Sequence, residues 1–375
     1  MPTKFFPLGG PVPGEDIVGR DDLLMSLEMR LSEGQSVMLA SPRRTGKTSI
    51  AHEIIRRFKS KNYYTIFIDV FQPATKKELT TLLIDSCLEN RTGIKKTTDT
   101  LKKGIKSLAT SAKLTFRLKD LELDILLDLD REGKEEVLLS YALELPEKLG
   151  RLDNKKVLVV FDEFQDFQKF NGDNIFKTLR SHFQNHQYVT YLFLGSKKGT
   201  LENLFSHSKE AFFRFATIVP MPEIPEEKWI EYIQKKFSTK KIAAPETAVK
   251  EIIRFTGGHP QDTMAVCSEI YYILLESNIR MLSTDVVRIG FERAKSSLIF
   301  VFDNILDDIG KNVHTRKILK KIAIGDMVYQ GEENPAEVKR AIDLLLTAGI
   351  IEKTARGKYE FYEPMFKEYL LDNTF

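Results

Sequence analysis

The sequence predicts an α/β protein with a parallel β-sheet core, a helical region after the core, and a small C-terminal domain of helices and two strands. Three observations predict this architecture. A short apolar strand leads through a glycine-containing loop into a helix at residues 36–61. A second apolar strand, residues 157–161, ends in the carboxylates of Asp162 and Glu163. Beyond residue 222 the apolar spacing is helical until two short strand patterns near the C-terminus.

Length and composition indicate a globular protein of two or three domains. The chain has 375 residues, more than the ~250–300 at which a single hydrophobic core stops growing. Hydrophobic residues make up 42% and charged residues 29%, and the net charge of +3 predicts no general affinity for nucleic acid. Because no apolar run is long enough for a secretory signal or a membrane span, we expect a cytoplasmic protein without membrane association.

Cysteine and histidine usage predicts no metal centre of the zinc type. Cys87 and Cys267 have no paired ligand spacing, so buried, reduced thiols are expected. The histidines form no H-E-x-x-H or similar cluster.

The first helix is predicted directly before the glycine-loop strand. Asp21 and Asp22 stand at its start and Gly34 follows its end, after a Gly/Pro-rich loop at residues 9–14. Its apolar face follows helical spacing through Leu23, Leu24, Leu27 and Leu31.

The loop "SPRRTGKTS", residues 41–49, is a phosphate-loop candidate with one departure from the pattern G-x-x-x-x-G-K-[ST]: Ser41 replaces the first glycine. Serine is small and forms turns through its hydroxyl, and Pro42 stiffens the next step. The N–H groups of residues 44–48 can form an anion nest, Lys47 can reach the β- and γ-phosphates, and Thr48 can bind Mg²⁺. The predicted nucleotide-binding residues here are Ser41, Pro42, Arg43, Arg44, Thr45, Gly46, Lys47, Thr48 and Ser49.

A chance glycine–lysine turn before a helix could give the same sequence pattern as a phosphate loop. A second motif is therefore needed to support nucleotide binding. Asp162 and Glu163 end a buried strand, where open α/β sheets bind ligands. We expect Asp162 to hold Mg²⁺ through water and Glu163 to act as general base on the attacking water. Acidic residues also follow strands because loops are polar, but the two motifs together predict nucleotide chemistry.

Two further residues are candidates for sensing the γ-phosphate. Ser196 ends the strand pattern "YVTYLFLGS", where a small polar residue can sit beside the phosphate or simply end the strand. Arg214 lies among aromatic residues in "EAFFRFATIVPM". It can be an arginine finger or an ordinary ion-paired arginine, and both interpretations stay open.

The long spacing from Lys47 to Asp162 predicts an insertion at about residues 92–150. Residues 94–113 are Lys/Thr/Ser-rich, residues 114–130 alternate apolar and polar with a parity change at Lys119–Asp120 that indicates a hairpin or bulge, and residues 134–149 read as a helix returning to the core. The insertion either binds a partner or nucleic acid, or covers a sheet edge.

The C-terminal pattern, from about residue 301, is helix, helix and two short strands around Arg356 and Gly357, which is typical of a winged helix. Such domains bind DNA through the second helix or bind proteins. The charges on that helix, Glu337, Lys339, Arg340 and Asp343, sum to zero, although Lys353, Arg356 and Lys358 add positive charge on the wing. DNA binding therefore stays open beside a protein-interaction role.

The combination of "GGPVPGEDIVGR", "SPRRTGKTS", "VVFDEFQ", "FLGS" and "GGHP" with a winged-helix-like end resembles the archaeal and bacterial P-loop ATPases at the border of the AAA+ and STAND groups, relatives of origin-recognition ATPases. The resemblance implies ATP or ADP with Mg²⁺, and it places Val18, Gly19 and Arg20 beside the adenine. It also implies a helical lid in which Gly257, Gly258, His259 and Pro260 close on the nucleotide. From the residues alone, "GGHP" is a glycine turn that ends one helix before a proline starts the next.

The expected organisation is thus a P-loop ATPase core at residues 1–222, a helical lid at 223–300 and a winged-helix-like domain at 301–375. The expected function is a Mg²⁺-dependent ATP-hydrolysing switch whose nucleotide state controls the lid, the winged helix and the binding of a protein partner or DNA. A nucleotide-holding interaction module with little turnover remains the alternative. An arginine finger from a neighbouring subunit would require an oligomer.

Overall fold

The computed structural model describes residues 5–92, 134–172, 174–196, 198–310, 313–330 and 334–373. The predicted basic segment at 94–113 and the alternating segment at 114–130 lie outside these residues. Across the described ranges, no helix is both long and apolar enough to cross a membrane.

The core is a five-stranded sheet in the order β2-β3-β4-β1-β5, and every pairing is parallel. Its strands are β1 (Val37–Ala40), β2 (Tyr64–Asp69), β3 (Val157–Asp162), β4 (Val189–Gly195) and β5 (Thr217–Pro220). The register sets Ala40 beside Gly195 and Asp69 beside Asp162. The carboxyl ends of β1, β3 and β4 therefore meet at one edge, with β4 in the middle. The predicted α/β parallel-sheet fold is confirmed.

Helices cover both faces of this sheet, which explains why its strands are almost continuously apolar. In β3, Val157, Val159 and Phe161 pack into one cluster while Leu158 and Val160 pack into the other. The flanking helices are α1 (Asp21–Ser32), α2 (Lys47–Ser60), α3 (Lys76–Thr92), α4 (Lys134–Asp153), α5 (Asn174–Phe183) and α6 (Lys198–Ser206). Helices α1 and α2 cover one face and α3 to α6 the other. Helix α4 falls within the predicted insertion, and it packs into this core.

Aromatic packing fixes the backbone just past β3. A 3₁₀ helix spans Phe164–Phe170, and Phe164 is fully buried. Its ring lies 4.6 Å from the ring of Phe193 on β4 and 5.1 Å from that of Phe212. Glu163, the residue between strand and 3₁₀ helix, has a left-handed backbone with φ of 50°. The aromatic cluster thus holds Glu163 at the sheet edge.

The second half of the chain is mainly helical. Its elements are α7 (Glu226–Thr239), α8 (Glu246–Thr256), α9 (Pro260–Glu276), α10 (Thr284–Ser297), α11 (Ile299–Asp308), α12 (Val313–Ile324), α13 (Pro335–Thr347), β6 (Ile351–Ala355), β7 (Lys358–Phe361) and α14 (Pro364–Asp372). The glycine turn before Pro260 is as expected, with Gly257 at φ 56° ending α8. The predicted domain boundary at residue 300 falls inside α11, and the domain limits stay predictions.

Within this half, one apolar cluster joins helices α7 to α11 to the C-terminal elements α12, α13, β6 and α14. It runs from Trp229 in α7 to Leu370 in α14, and it includes Phe6 and Val18 from the N-terminal segment. Strands β6 and β7 form an antiparallel hairpin, and the turn passes through Gly357 at φ 75°. The helices and strands predicted at the C-terminus are present at their predicted places, while the winged-helix function remains a prediction.

Candidate functional site

A cavity of about 400 Å³ lies where the carboxyl edge of the sheet meets the helical half. Its polar lining includes residues of the 43–50 segment and Glu163, and its apolar lining includes Val18, Trp229 and Met264. This volume lies within the ~300–1,000 Å³ typical of small-molecule sites, and an apolar pocket with a few polar groups is the usual lining of such sites.

The loop between β1 and α2 presents backbone donors to the cavity. Arg44 and Gly46 have left-handed backbones with φ of 67° and 97°, and α2 begins directly at Lys47. Within the described part of the chain, the N–H groups of residues 43–46 make no hydrogen bond. The N–H groups of the first helical turn have no partner inside the helix either. The result is an anion nest at a helix N-terminus.

Ser41 closes the loop through its hydroxyl. Its Oγ lies 2.8 Å from Thr45 Oγ1, which donates its own proton to Pro42 O at 2.9 Å. Since the Thr45 hydroxyl has only one proton, Ser41 is the donor to Thr45. The serine in place of the first glycine therefore adds a hydrogen bond across the loop, and Ser41 N also donates to Gly195 O at 3.4 Å.

Lys47 is buried at the centre of the loop. Its Nζ donates to Ser41 O at 2.6 Å and to Pro42 O. Burial lowers the pKa of Lys47 to about 8, although the nearby carboxylates Glu163 and Asp162 oppose the shift. The ammonium group is thus held next to the nest by two carbonyls that a phosphate can replace as acceptor.

Thr48 and Asp162 form the predicted metal position. Thr48 Oγ1 donates to Asp162 Oδ2 at 2.8 Å. Burial raises the pKa of Asp162, and the Thr48 hydrogen bond opposes this rise. A hydroxyl and a carboxylate are the oxygen donors that Mg²⁺ accepts. The described residues contain no group of three or more His, Cys, Asp or Glu that could hold a metal, so Mg²⁺ here would take its other ligands from phosphate and water.

Glu163 and Ser196 meet across β3 and β4. Glu163 Oε2 accepts hydrogen bonds from Ser196 N at 3.1 Å and Ser196 Oγ at 2.7 Å. Burial alone would raise the pKa of Glu163, but hydrogen bonds from Gln165 and Ser196 outweigh it and hold the pKa below its usual value. The structure therefore brings Lys47, Thr48, Asp162, Glu163 and Ser196 to one sheet edge, and their catalytic roles stay predictions.

Two of the three predicted adenine-side residues, Val18 and Arg20, line the cavity. Arg20 Nη1 donates to Pro222 O. Burial lowers the pKa of Arg20 to about 10, partly opposed by Glu223. Gly19 has φ of 61°, and a Cβ there would approach the Ile224 and Lys228 side chains to 3.1 Å. A side chain at position 19 would therefore push the N-terminal segment away from the start of α7.

In the predicted lid, Pro260 lines the cavity together with Gln261. His259 is buried and caps α9 instead, with Nδ1 accepting from Asp262 N at 3.4 Å. It is not among the cavity-lining residues of the described chain. Trp229 Nε1 donates to Gly258 O at 3.0 Å and so fixes the turn before His259. The structure thus supports contact with a ligand for Pro260 more directly than for His259.

Arg214 lies away from this cavity. It borders a separate cavity with Ser36 and Thr217, at the amino ends of β1 and β5 and thus at the opposite edge of the sheet. Its guanidinium lies 5.1 Å from the ring centroid of Phe213. Within one chain the structure therefore does not bring Arg214 to the phosphate loop. The predicted finger role would need a neighbouring subunit whose loop lies against this edge.

Sequence reasoning missed several residues at the site. Trp229, Met221 and Met264 add apolar side chains to the cavity lining, and residues 7–12 line the cavity from the N-terminal segment. Glu363 reaches Arg44 in the loop from the C-terminal region at 2.6 Å. The helical apolar pattern of α7 and α9 was visible, but nothing in it marks which apolar side chains face a ligand. No local pattern marks Glu363.

Comparison with known proteins agrees with this geometry. Residues 18–266 match a family model described as an ATPase domain predominantly from Archaea. A search of curated proteins found no match to the chain.

Solved structures with the same fold cover nearly the whole chain. The Walker-type ATPase PABY2304 of Pyrococcus abyssi is 18% identical, with a TM-score of 0.69 over 98% of this chain and 99% of that chain. The Aeropyrum pernix ORC2 protein in its ADPNP–ADP complexes is 13% identical, with a TM-score of 0.61 over 98% and 96%. Cdc6p from Pyrobaculum aerophilum is 13% identical, with a TM-score of 0.52 over 98% and 97%. At these identities the likeness shows a shared fold, that of AAA+-like P-loop proteins.

The loop geometry predicts that Ser41 supports nucleotide binding. Ser41→Gly removes the Ser41–Thr45 hydrogen bond and loosens the loop, so ATP affinity should fall by about 2- to 10-fold. Lys47→Ala removes a charged donor to phosphate and should lower affinity more, by on the order of 10- to 100-fold. Equilibrium titration with a fluorescent ATP analogue measures both. Tighter binding by Ser41→Gly would show that the serine weakens the loop.

Proposed function

The chain belongs to the family of ATPase domains found predominantly in archaea, and from this membership we propose that it is a molecular switch in which ATP binding and hydrolysis control how the helical half docks on the core. That the chain is a P-loop ATPase follows from the family. The residue roles, the metal and the switch are the proposal, and the contacts described below support them.

The phosphate end of ATP binds at the loop. The N–H groups of residues 43–48 donate to phosphate oxygens, and Lys47 Nζ turns from the carbonyls of Ser41 and Pro42 to the β- and γ-phosphates. Thr48 and Asp162 would hold Mg²⁺, which neutralises phosphate charge when bound. The apolar lining side chains, among them Val18 and Trp229, suit the adenine ring.

Hydrolysis proceeds by in-line attack of water on the γ-phosphate, with Glu163 receiving the proton of that water. Ser196 Oγ donates its single proton to Glu163 Oε2, and this proton would have to leave Glu163 for Ser196 to donate to a γ-phosphate oxygen. Lys47 stabilises negative charge as it develops on the phosphate oxygens. Arg214 joins this step only if a second subunit presents it to the site.

A single contact carries the switch: Arg44 Nη1 in the phosphate loop lies 2.6 Å from Glu363 Oε2. Glu363 directly precedes α14, and both side chains are partly shielded from solvent. Two residues on, Met365 N donates to buried Asp262 Oδ2 at the start of α9. Residues 363–365 therefore contact both the phosphate loop and the start of α9. A nucleotide that draws Arg44 toward phosphate changes this contact and thereby the docking of α14.

We propose a protein as the partner of the C-terminal elements. The charges on α13, Glu337, Lys339, Arg340 and Asp343, sum to zero, which is unlike a surface that tracks DNA phosphates. Ile324, Met327 and Leu344 are exposed apolar side chains in the same region, which suits a protein surface better than a duplex.

The rate of ATP hydrolysis distinguishes the proposed switch from a nucleotide-holding module with little turnover. Glu163→Gln keeps the shape of the side chain but cannot take a proton, so turnover should fall by about 10²- to 10⁴-fold while ATP still binds. Phosphate release under saturating ATP measures this, and Glu210→Gln, an exposed carboxylate change, is the control. Wild-type turnover no faster than that of Glu163→Gln, with ATP binding intact, would favour the nucleotide-holding module.

The Arg44–Glu363 contact predicts a coupling between C-terminal docking and ATP affinity. Glu363→Gln frees Arg44 for phosphate, so ATP affinity should rise by about two- to fivefold, as expected for one partly exposed ion pair. In an Arg44→Ala background, Glu363→Gln should have no effect, because the arginine that it frees is absent. Titration of the four proteins with a fluorescent ATP analogue measures the cycle.

The matched control is Asp372→Asn, which breaks the contact of the same helix with Lys295 at its far end. It should leave ATP affinity unchanged. Equal effects of Glu363→Gln and Asp372→Asn, or an undiminished effect without Arg44, would contradict the coupling.

A further inference from the structure

The Gln165 side chain is buried directly beside Glu163. It lies two residues further along, on the 3₁₀ helix, and is 5% exposed. Its Nε2 donates to Glu163 Oε2 at 2.5 Å, and it also lies 3.5 Å from Asp166 Oδ1. Together with Ser196 N and Ser196 Oγ, it gives Glu163 Oε2 three donors.

The two carboxylate oxygens of Glu163 are therefore in different situations. Oε2 is saturated with donors, whereas Oε1 accepts no hydrogen bond from the described residues. Glu163 lines the cavity and is only partly buried. The three donors leave Oε1 as the oxygen that can accept a hydrogen bond from water in the cavity.

The structure makes room for this amide at a visible cost. Gln165 Oε1 is buried and has no hydrogen-bond partner among the described residues, an arrangement that destabilises a fold. A Cβ on Gly195 would lie 2.1 Å from Gln165 Oε1 and 2.4 Å from Leu201 Cδ1. Only glycine at the end of β4 admits the amide in this place. An apolar side chain would fill the same space without the unpaired oxygen, so packing alone does not explain a glutamine.

We propose that Gln165 is a positioning residue for hydrolysis: its amide, with Ser196, fixes Glu163 Oε2 so that Oε1 faces the attacking water. Gln165 acts through Glu163 and touches neither nucleotide nor metal. The inference rests on the proposed role of Glu163 as general base. It gives a role in the hydrolytic machinery to the last residue of "VVFDEFQ", to which the sequence analysis assigned none.

Gln165→Met tests the proposal, because methionine has similar length and volume but no N–H donor. We expect kcat for ATP to fall by about 10- to 100-fold, as when a reacting group is misplaced by a fraction of an ångström to one ångström. KM and the affinity for a non-hydrolysable ATP analogue should stay within about twofold of wild type, because Gln165 is not among the described residues that line the cavity. Gln168→Met, an exposed change on the same 3₁₀ helix, should leave kcat unchanged.

A double variant distinguishes positioning from a general effect on the fold. If Gln165 works through Glu163, then adding Gln165→Met to Glu163→Gln should lower kcat no further. Gln165→Glu is a second probe of the same size, since it sets an acceptor against Oε2 and should also lower kcat. Circular dichroism melting identifies any variant that has not folded. If one of the two Gln165 variants does not fold, the kcat of the other one tests the proposal.

Unchanged or increased kcat in folded Gln165→Met would overturn the inference, as would a parallel loss of analogue affinity or a full additive loss in the double variant. Failure of the proposed function gives a different pattern. In that case Glu163→Gln itself retains wild-type turnover, whereas failure of this inference leaves Glu163→Gln impaired and Gln165→Met normal.

Discussion

The site depends on the parallel pairing of β1, β4 and β3, because parallel strands bring their carboxyl ends to one edge. The strand order sets β4 between the strand that carries the phosphate loop and the strand that carries the carboxylates. Ser196 at the end of β4 consequently contacts Glu163, and Thr48 reaches Asp162 at 2.8 Å. Helices on both faces bury the strands, so a ligand can reach the sheet only at an edge, and the carboxyl edge carries the phosphate loop and the carboxylates.

Sequence reasoning predicted those parts of the site that follow from a short local pattern. The strand, loop and helix around Gly46 and the carboxylates after β3 are signalled by neighbouring residues, and the structure has both. Sequence reasoning could not place Arg214. The edge of the sheet at which a loop lies depends on the pairing of strands that are distant in sequence. Sequence reasoning also gave no sign of Glu363, which lies 319 positions from Arg44. The sequence shows that Ser41 departs from the glycine pattern. The hydrogen bond of its hydroxyl to Thr45 is visible only in the structure.

The helical half meets the cavity and the phosphate loop in different ways. Trp229 and Pro260 line the cavity, and Trp229 Nε1 donates to Gly258 O. Glu363 and Met365, at the start of α14, add an ion pair to the loop and a hydrogen bond to α9. One apolar cluster connects α7 to α14. A change in the contact between Arg44 and Glu363 can therefore alter packing in helices far from the loop. Gln165 has a more local part, since it acts on the geometry of one carboxylate.

The central claim is that ATP replaces internal contacts of the loop, and a crystal structure with a non-hydrolysable ATP analogue and Mg²⁺ tests it most directly. The account predicts the β- and γ-phosphates on the N–H groups of residues 43–48, with Lys47 Nζ moved from the carbonyls of Ser41 and Pro42 to phosphate. Mg²⁺ should lie between Thr48 and Asp162, and Glu163 Oε1 should face the γ-phosphate. A triphosphate bound elsewhere, or Lys47 still on those carbonyls with the analogue in place, would contradict it.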